Sequence, residues 1–400
     1  MTKTISSLRR QYPLSVFDSR WAAAPEGAEE FFFMVRPQGQ GGFAAQADSL
    51  FAAYETALAE AGLDAETIVT ATVFLSDAAN QEALLRRHAV FSALCEAGGA
   101  VTVIEQPPAG AKLGMLAYHV RRQPGAEHRQ RLTVPGAKSN ACGLAIVTPA
   151  YRFVYLKNLA SLLSADAAGQ AEDLLGTPDF AAQSNGVALA RAVRTWLYVR
   201  DIDRNYRAVS GARNRVFHRH GITIDGGFPA STGIAGHSAD PADLLVLDLL
   251  AIDGLKPEQC RRMEAPTHMN PTVEYQVTFE RGREVVFGDR RHLYVSGTAS
   301  IDHRGQILHP GAVERQTERA IDNMAALLGN SGAALSDLRY VIVYLRDVAD
   351  AAAVEAIMAE SPLAGQPRII LHAPVCRPGW LVELEGVAID GKGDGRFPAF

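Results

Sequence analysis

Glu383 and Glu385, in the stretch VELEGVAID at 382–390, have the type and spacing for acid–base chemistry. The apolar pattern predicts a strand, and a period of two places both carboxyls on one face. Val382 and Leu384 would pack on the other face, with Val387 expected to join them. Two acids on one side of an apolar strand are unusual. One can be solvated while the other looks into a cleft, and a surface ladder of acid and arginine is the competing reading. A buried acid that keeps its proton beside arginines can protonate an enol ether, giving an oxocarbenium that water captures. Arginine suits the carboxylates of such a substrate because its planar fork binds them in bidentate fashion.

Several side chains could serve that acid. Arg368 lies in the preceding strand RIILH, and Cys376 and Arg377 share the Pro-Val-Cys-Arg-Pro-Gly turn between the strands. Arg346 precedes Asp347 as Arg200 precedes Asp201. Arg213 and Arg215 stand on a helical run with Tyr206, where a solvated charged face competes with a binding role. Cys376 has no signalled histidine partner, although His372 is four residues earlier, and reads as a pocket-lining thiol. His218 and His220 would diverge on a helix and have no third ligand, so no metal is expected. GQGG at 39–42 lacks the lysine and hydroxyl residue of a phosphate loop, and no cofactor is expected.

The elements that must carry these residues repeat along the chain. Gln46, Gly62 and Asp77 are spaced by 16 and 15 residues, as are Gln170, Gly186 and Asp201, and again Gln316, Gly332 and Asp347. Each Gln lies in a helical run and each Asp closes an apolar strand: TIVTATVFLSD, VRTWLYVRD and LRYVIVYLRD. A strand precedes each helix (FFFMVR, RFVYLK, HLYVS). A second helical run follows each Asp (AANQEALLRRHAVFSALC, IDRNYRAVSGARNRVFHRHG, DAAAVEAIMAES), and a closing strand ends each unit (LGMLAYHV, DLLVLDLLAI, WLVELEGVAI). The order β-α-β-α-β with extra hairpin strands predicts an α+β fold with helices on one face of each sheet. Three units are expected at 16–125, 141–254 and 272–392, joined by polar linkers at 121–140 and 253–271. The third unit's first helix should stop near Gly329, and Gly176-Thr177-Pro178 should break that of the second. GKGDGRFPAF at 391–400 reads as a loose tail. Aligning the closing strands puts Val246 at the Glu383 position and Asp248 at that of Glu385, and LGMLAYHV has no acid.

Composition sets the bounds. The chain has 400 residues, 48% hydrophobic and 21% charged, with a formal net charge of -5. That describes a soluble globular protein and gives no case for nucleic acid. No apolar run has membrane-spanning length, and MTKTISSLRRQYPLS lacks a signal peptide's apolar core. Cys95, Cys142, Cys260 and Cys376 lie far apart, which fits reduced thiols and a cytoplasmic location.

With its YVSGTAS strand, HPG loop and closing VELEG strand, the unit resembles the RidA/YjgF superfamily, of chorismate-mutase-like fold. Members are usually trimers of single modules with small-molecule clefts between neighbours. The resemblance therefore implies an intramolecular pseudo-trimer, monomeric, with further self-association open. Units two and three resemble the chorismatase branch on four stretches: RAVRTWLYVRDIDRNYRAVSGARNRVF (191–217), PASTGIAG (229–236), YVSGTASI…HPG…QTERAIDN (294–323) and VCRPGWLVELEGV (375–387). EAPTHM at 264–269 and Ala312 in HPGA depart from that branch. The resemblance implies a hydrolase or lyase of secondary metabolism that cleaves the enolpyruvyl ether of chorismate or a related cyclic acid. It places the general acid on Glu383, with Arg213, Arg215, Tyr206, Arg346, Arg368, Cys376 and Arg377 as candidates around a carboxylate substrate. Two alternatives stay open: a RidA-type imine or enamine deaminase, with Arg368 holding the substrate carboxylate, and a non-catalytic binding protein.

Overall fold

The computed structural model describes residues 6–11, 16–22, 27–134, 137–138, 140–176, 187–275 and 277–400. Three six-stranded sheets share one topology. The first takes β1 (Ser6–Gln11), β2 (Val16–Ala22), β3 (Glu29–Val35), β4 (Ile68–Leu75), β5 (Ala100–Glu105) and β6 (Leu113–Arg121), in spatial order β1-β2-β3-β6-β4-β5. The second takes β7 (His128–Leu132), β8 (Cys142–Val147), β9 (Arg152–Leu159), β10 (Ala192–Val199), β11 (Ala230–Ala235) and β12 (Leu245–Asp253), in order β7-β8-β9-β12-β10-β11. The third takes β13 (Cys260–Met263), β14 (Gly282–Val286), β15 (Arg291–Ala299), β16 (Leu338–Leu345), β17 (Arg368–His372) and β18 (Val382–Asp390), in order β13-β14-β15-β18-β16-β17. In each module the closing strand inserts between the third and fourth strands, and the fourth and fifth run parallel across a helical crossover.

The first helices are α1 (Phe43–Ala61), α4 (Ala167–Gly176) and α6 (Val313–Asn330). The repeated glutamine fixes each helix to the entrance of its module's closing strand. Gln46 Oε1 accepts from the Lys112 amide at 2.8 Å, Gln170 Oε1 from Leu244 at 2.9 Å and Gln316 Oε1 from Leu381 at 2.8 Å. A part-buried backbone donor ahead of the inserted strand is thus satisfied the same way three times by a buried glutamine, which explains why the residue recurs. Gly62 caps α1 at φ 66°, and Gly332 takes the same left-handed role at φ 71°. Helix α6 accordingly ends at Asn330, next to the expected stop near Gly329. The expected break at Thr177-Pro178, with Gly186, lies outside the described residues. The second run of module one is split into α2 (Ala78–Leu85) and α3 (Ala89–Glu96), with His88 extended at φ -70°, ψ 127° ahead of α3. In modules two and three that run forms α5 (Ile202–Arg219) and α7 (Ala351–Glu360).

The polar segments expected as linkers contain strands. HRQRL forms β7 and CRRM forms β13, so the second and third sheets begin at His128 and Cys260, and the first begins at Ser6. Edge strands tolerate charge on both faces, which hides them among linker residues. The C-terminal segment is also not loose. Phe400 is buried against Phe153, Phe287 and His292, with ring centroids 5.1, 5.1 and 4.7 Å away, at the meeting of modules two and three. Among the described residues, no helix is long and apolar enough to cross a membrane.

Candidate active site between modules two and three

Glu383, Glu385 and Val387 alternate onto the face of β18 that looks toward the other modules, so Val387 is not with Val382 and Leu384. Glu383 and Glu385 diverge in surroundings: Glu383 lines a cleft shared with module two, whereas Glu385 borders a cavity on the molecular axis. The cleft encloses about 610 Å³, counted out to its mouth. Module three contributes Glu383, Arg281, Gly297, Cys376 and Arg377, and module two contributes Tyr206, Arg213 and Ser231.

Local sequence explains the assembly. Gly297 lies at a register shift in the β15–β18 pairing, and a Cβ there would come 2.2 Å from Glu383 Oε1. Only glycine leaves the carboxyl that space. A Cβ on Gly233 would likewise meet the Tyr206 ring at 2.5 Å, so β11 lets helix α5 lay Tyr206 over it. The two modules are joined along the cleft by backbone: the Ala235 amide donates to Pro374 O at 3.0 Å, and the Ser231 amide to Ser296 Oγ at 2.9 Å.

Burial, followed by the charge of Glu385, pushes the Glu383 carboxyl up to about 8, against the opposing pulls of Arg281 and Arg194. Glu383 Oε1 is buried without a hydrogen-bond partner among the described residues. Arg213 is 1% exposed, and its Nη1 donates to Ser231 Oγ at 3.3 Å. Its Nε and Nη2, which form one bidentate edge of the guanidinium, are buried donors without hydrogen-bond partners among the described residues, and the Tyr206 side chain lies within interaction range of the guanidinium. Arg281 Nε donates to the Asn270 carbonyl at 3.2 Å, and Arg377 lies 4.8 Å over the Trp380 ring. Burial, and then Glu383, push the Cys376 thiol up to about 12, so it stays a thiol, within hydrogen-bonding reach of Tyr206. The site thus joins a carboxyl of raised proton affinity to a guanidinium edge without hydrogen-bond partners among the described residues. Such a pairing binds a carboxylate and delivers a proton.

Glu383, Tyr206, Arg213, Cys376 and Arg377 are brought together; three expected residues are not. Arg215 is two positions from Arg213, hence on the opposite side of α5, and pairs with Glu172 at 2.6 Å. Arg346 grips Asp203 of α5 at 2.8 Å, a strut between modules. Arg368 turns to the helix side of its sheet and pairs with Glu355 of α7 at 2.5 Å. Arg281, Ser231 and Gly297 were not singled out from sequence. The last two sit in PASTGIAG and YVSGTAS, where the branch resemblance was the available signal. Arg281 stands at the end of a polar segment with no periodicity to mark it.

The other closing strands lack the acid. Strand register sets Tyr344 opposite Glu383, Tyr198 opposite Val246 and Phe74 opposite Gly114. A Cβ on Gly114 would meet Ile369 Cδ1 at 2.5 Å, so an apolar side chain crowds that position.

Fold and cleft define a chain of three tandem RidA/YjgF modules. A family model described as endoribonuclease L-PSP matches residues 284–390. The chain is 30% identical over 97 residues to the 3-aminoacrylate deaminase RutC of Acinetobacter baylyi, covering 77% of that protein and 24% of this one. It belongs to the RidA/YjgF family. More particularly, it is 28% identical over 216 residues to a 3-hydroxybenzoate synthase and over 213 residues to a chorismatase, both of Streptomyces hygroscopicus. Those matches take in 49% and 48% of this chain and span 63% and 60% of the relatives' lengths. A crystal structure of a chorismatase superposes with a TM-score of 0.61 at 22% identity, covering 81% of this chain and 93% of that one. These relatives make the chain chorismatase-like.

Proposed function

We propose that the Glu383 cleft cleaves the enolpyruvyl ether of chorismate or a related cyclic carboxylic acid, with Glu383 as general acid. The observation that carries this reading is a buried carboxyl whose proton affinity is raised to about 8, in one cleft with the open edge of Arg213. Arg213, with Arg281 and Arg377 as the other cations of the cleft, holds the substrate carboxylates. Glu383 protonates the enol ether's methylene carbon. The resulting oxocarbenium takes up water, and the hemiketal collapses to pyruvate and the ring alcohol. The balance is chorismate plus water to pyruvate plus a dihydroxycyclohexadiene acid; a hydroxybenzoate with pyruvate is the alternative, without net water. Tyr206 and the neutral Cys376 shape the ring pocket.

The test is incubation with chorismate, assayed for pyruvate and for the released ring acid. Stoichiometric pyruvate is expected. A second reading has its own support in the match to the 3-aminoacrylate deaminase: hydrolysis of an imine or enamine whose carboxylate Arg377 or Arg213 binds. Ammonia from 2-aminoacrylate, without pyruvate from chorismate, would replace the first reading by the second.

A further inference from the structure

Where the three sheets face one another on the pseudo-threefold axis, they leave a second cavity of about 790 Å³, counted out to its mouth. It shares no lining residue with the Glu383 cleft. Its walls are aromatic. Phe32 and Tyr118 are stacked with centroids 4.6 Å apart, and Tyr340 is tilted toward Phe32 at 5.7 Å.

The charges on the wall are already matched, largely by side chains behind it. Glu30 takes Arg290 Nη1 at 2.7 Å and the Tyr118 hydroxyl at 2.7 Å, and lies 2.9 Å from His292 Nε2. Glu385 takes Arg194 at 2.7 Å and the Trp196 indole N–H at 2.8 Å. Lys157 is paired with Asp248. Two phenols of the lining are left over. Tyr155 and Tyr340 are 8% and 6% exposed and line the cavity, yet their hydroxyls have no hydrogen-bond partner among the described residues.

This pattern selects a guest. An anion would lose its hydration with no free cation to meet it, and a cation would find both acids taken. A purely apolar guest would leave two buried phenols unpaired. We propose that the axial cavity is a second small-molecule site, for an uncharged planar aromatic bearing a hydroxyl, stacked among Phe32, Tyr118 and Tyr340 and hydrogen-bonded by Tyr155 and Tyr340. The site is separate from the Glu383 cleft in its lining, with Glu385 on its wall as the one group that also acts electrostatically on Glu383.

Phenol is the probe, with toluene and benzoate as controls, in calorimetric titrations of the full chain and in soaked crystals. Phenol should appear in the axial cavity with its oxygen against Tyr155 or Tyr340. Toluene should bind about tenfold or more weakly, and benzoate should be absent from this cavity. The double variant Tyr155→Phe/Tyr340→Phe should lose the preference for phenol over toluene, and each single variant, the fallback if the double fails to fold, should lose part of it. Phenol confined to the Glu383 cleft, an axial cavity holding only water at saturating phenol, or a folded variant with undiminished preference each overturns the proposal.

Discussion

Arg194 and Glu385 form a closed ion pair between the two cavities: Nη2 lies 2.7 Å from Oε2, and each side chain is 1% exposed. The same Nη2 donates to Thr232 Oγ1 at 2.7 Å, which also accepts from the Gly297 amide at 2.9 Å. Gly297 is the residue on which Glu383 rests. A fixed negative charge is thereby held two residues from the proposed acid, with its counter-charge anchored on the far side.

Glu385→Gln should consequently move the pH profile. Burial and then the charge of Glu385 raise the Glu383 proton affinity while Arg281 and Arg194 lower it, so removing the glutamate charge leaves burial alone to oppose the two arginines. In the wild type, kcat/KM for pyruvate release should fall as pH rises through about 8, where Glu383 loses its proton. The falling limb should shift to lower pH in the variant, with a smaller change at pH 5. A limb that stays in place would dissociate Glu385 from the acid.

Glu383→Gln tests the acid itself. It keeps the side chain's shape and removes the proton, so turnover should drop by roughly two to four orders of magnitude. Affinity for a dicarboxylate ligand should hold below about pH 8, where Glu383 is itself neutral, and improve above it, where the wild-type carboxylate would repel the ligand. Full turnover in Glu383→Gln would remove the assignment.

The same substitution has a stability signature. An acid whose proton affinity is raised on folding, from 4.5 to about 8, binds more protons folded than unfolded between those values. Its contribution to stability is therefore complete below about pH 4.5 and is lost as pH rises through about 8. Glu383→Gln cannot ionise, so relative to wild type it should gain thermal stability steadily from pH 5 to pH 8. Melting curves across that range would show parallel behaviour if Glu383 were ionised throughout.

Much of the architecture was legible because it is periodic. The glutamine that fastens each first helix recurs at fixed spacing, and the face shared by Glu383 and Glu385 follows from strand alternation. What periodicity does not encode was harder to read. Arg213 and Arg215 look alike on a charged helix, and only packing against β11 separates the buried one from the one paired to Glu172. Edge strands β7 and β13 carry linker-like charge. Phe400 follows a glycine-rich segment, and its docking depends on aromatic partners far away in sequence.

The pseudo-threefold arrangement should bind ligand asymmetrically. Val246 and Gly114 stand where Glu383 stands, and Ile369 crowds the latter position. Titration with a non-hydrolysable enolpyruvyl-acid analogue should give one site per chain, abolished in Arg213→Met without loss of fold. Three equivalent sites would contradict the asymmetry.

Phe400 offers a last test, of the tail rather than the cleft. Its ring lies under the guanidinium groups of Arg122 and Arg290, 4.5 and 4.8 Å from centroid to Cζ, and against His292, which lines the axial cavity. The tail is also held by backbone, with the Gly288 amide donating to Pro398 O at 2.7 Å and the Phe400 amide to Asp289 Oδ1 at 2.9 Å. Burying an aromatic in such a setting is worth about 3–5 kcal/mol when it is cut to alanine in a closed core. A peripheral segment held by few contacts can instead open locally, which caps the cost near the lower end of that range. Phe400→Ala should accordingly lose about 3 kcal/mol or less in urea unfolding. Amide exchange should rise sharply over residues 391–400 while β18 stays protected. Unchanged exchange in the tail would mean that its backbone bonds, and not the ring, hold it in place.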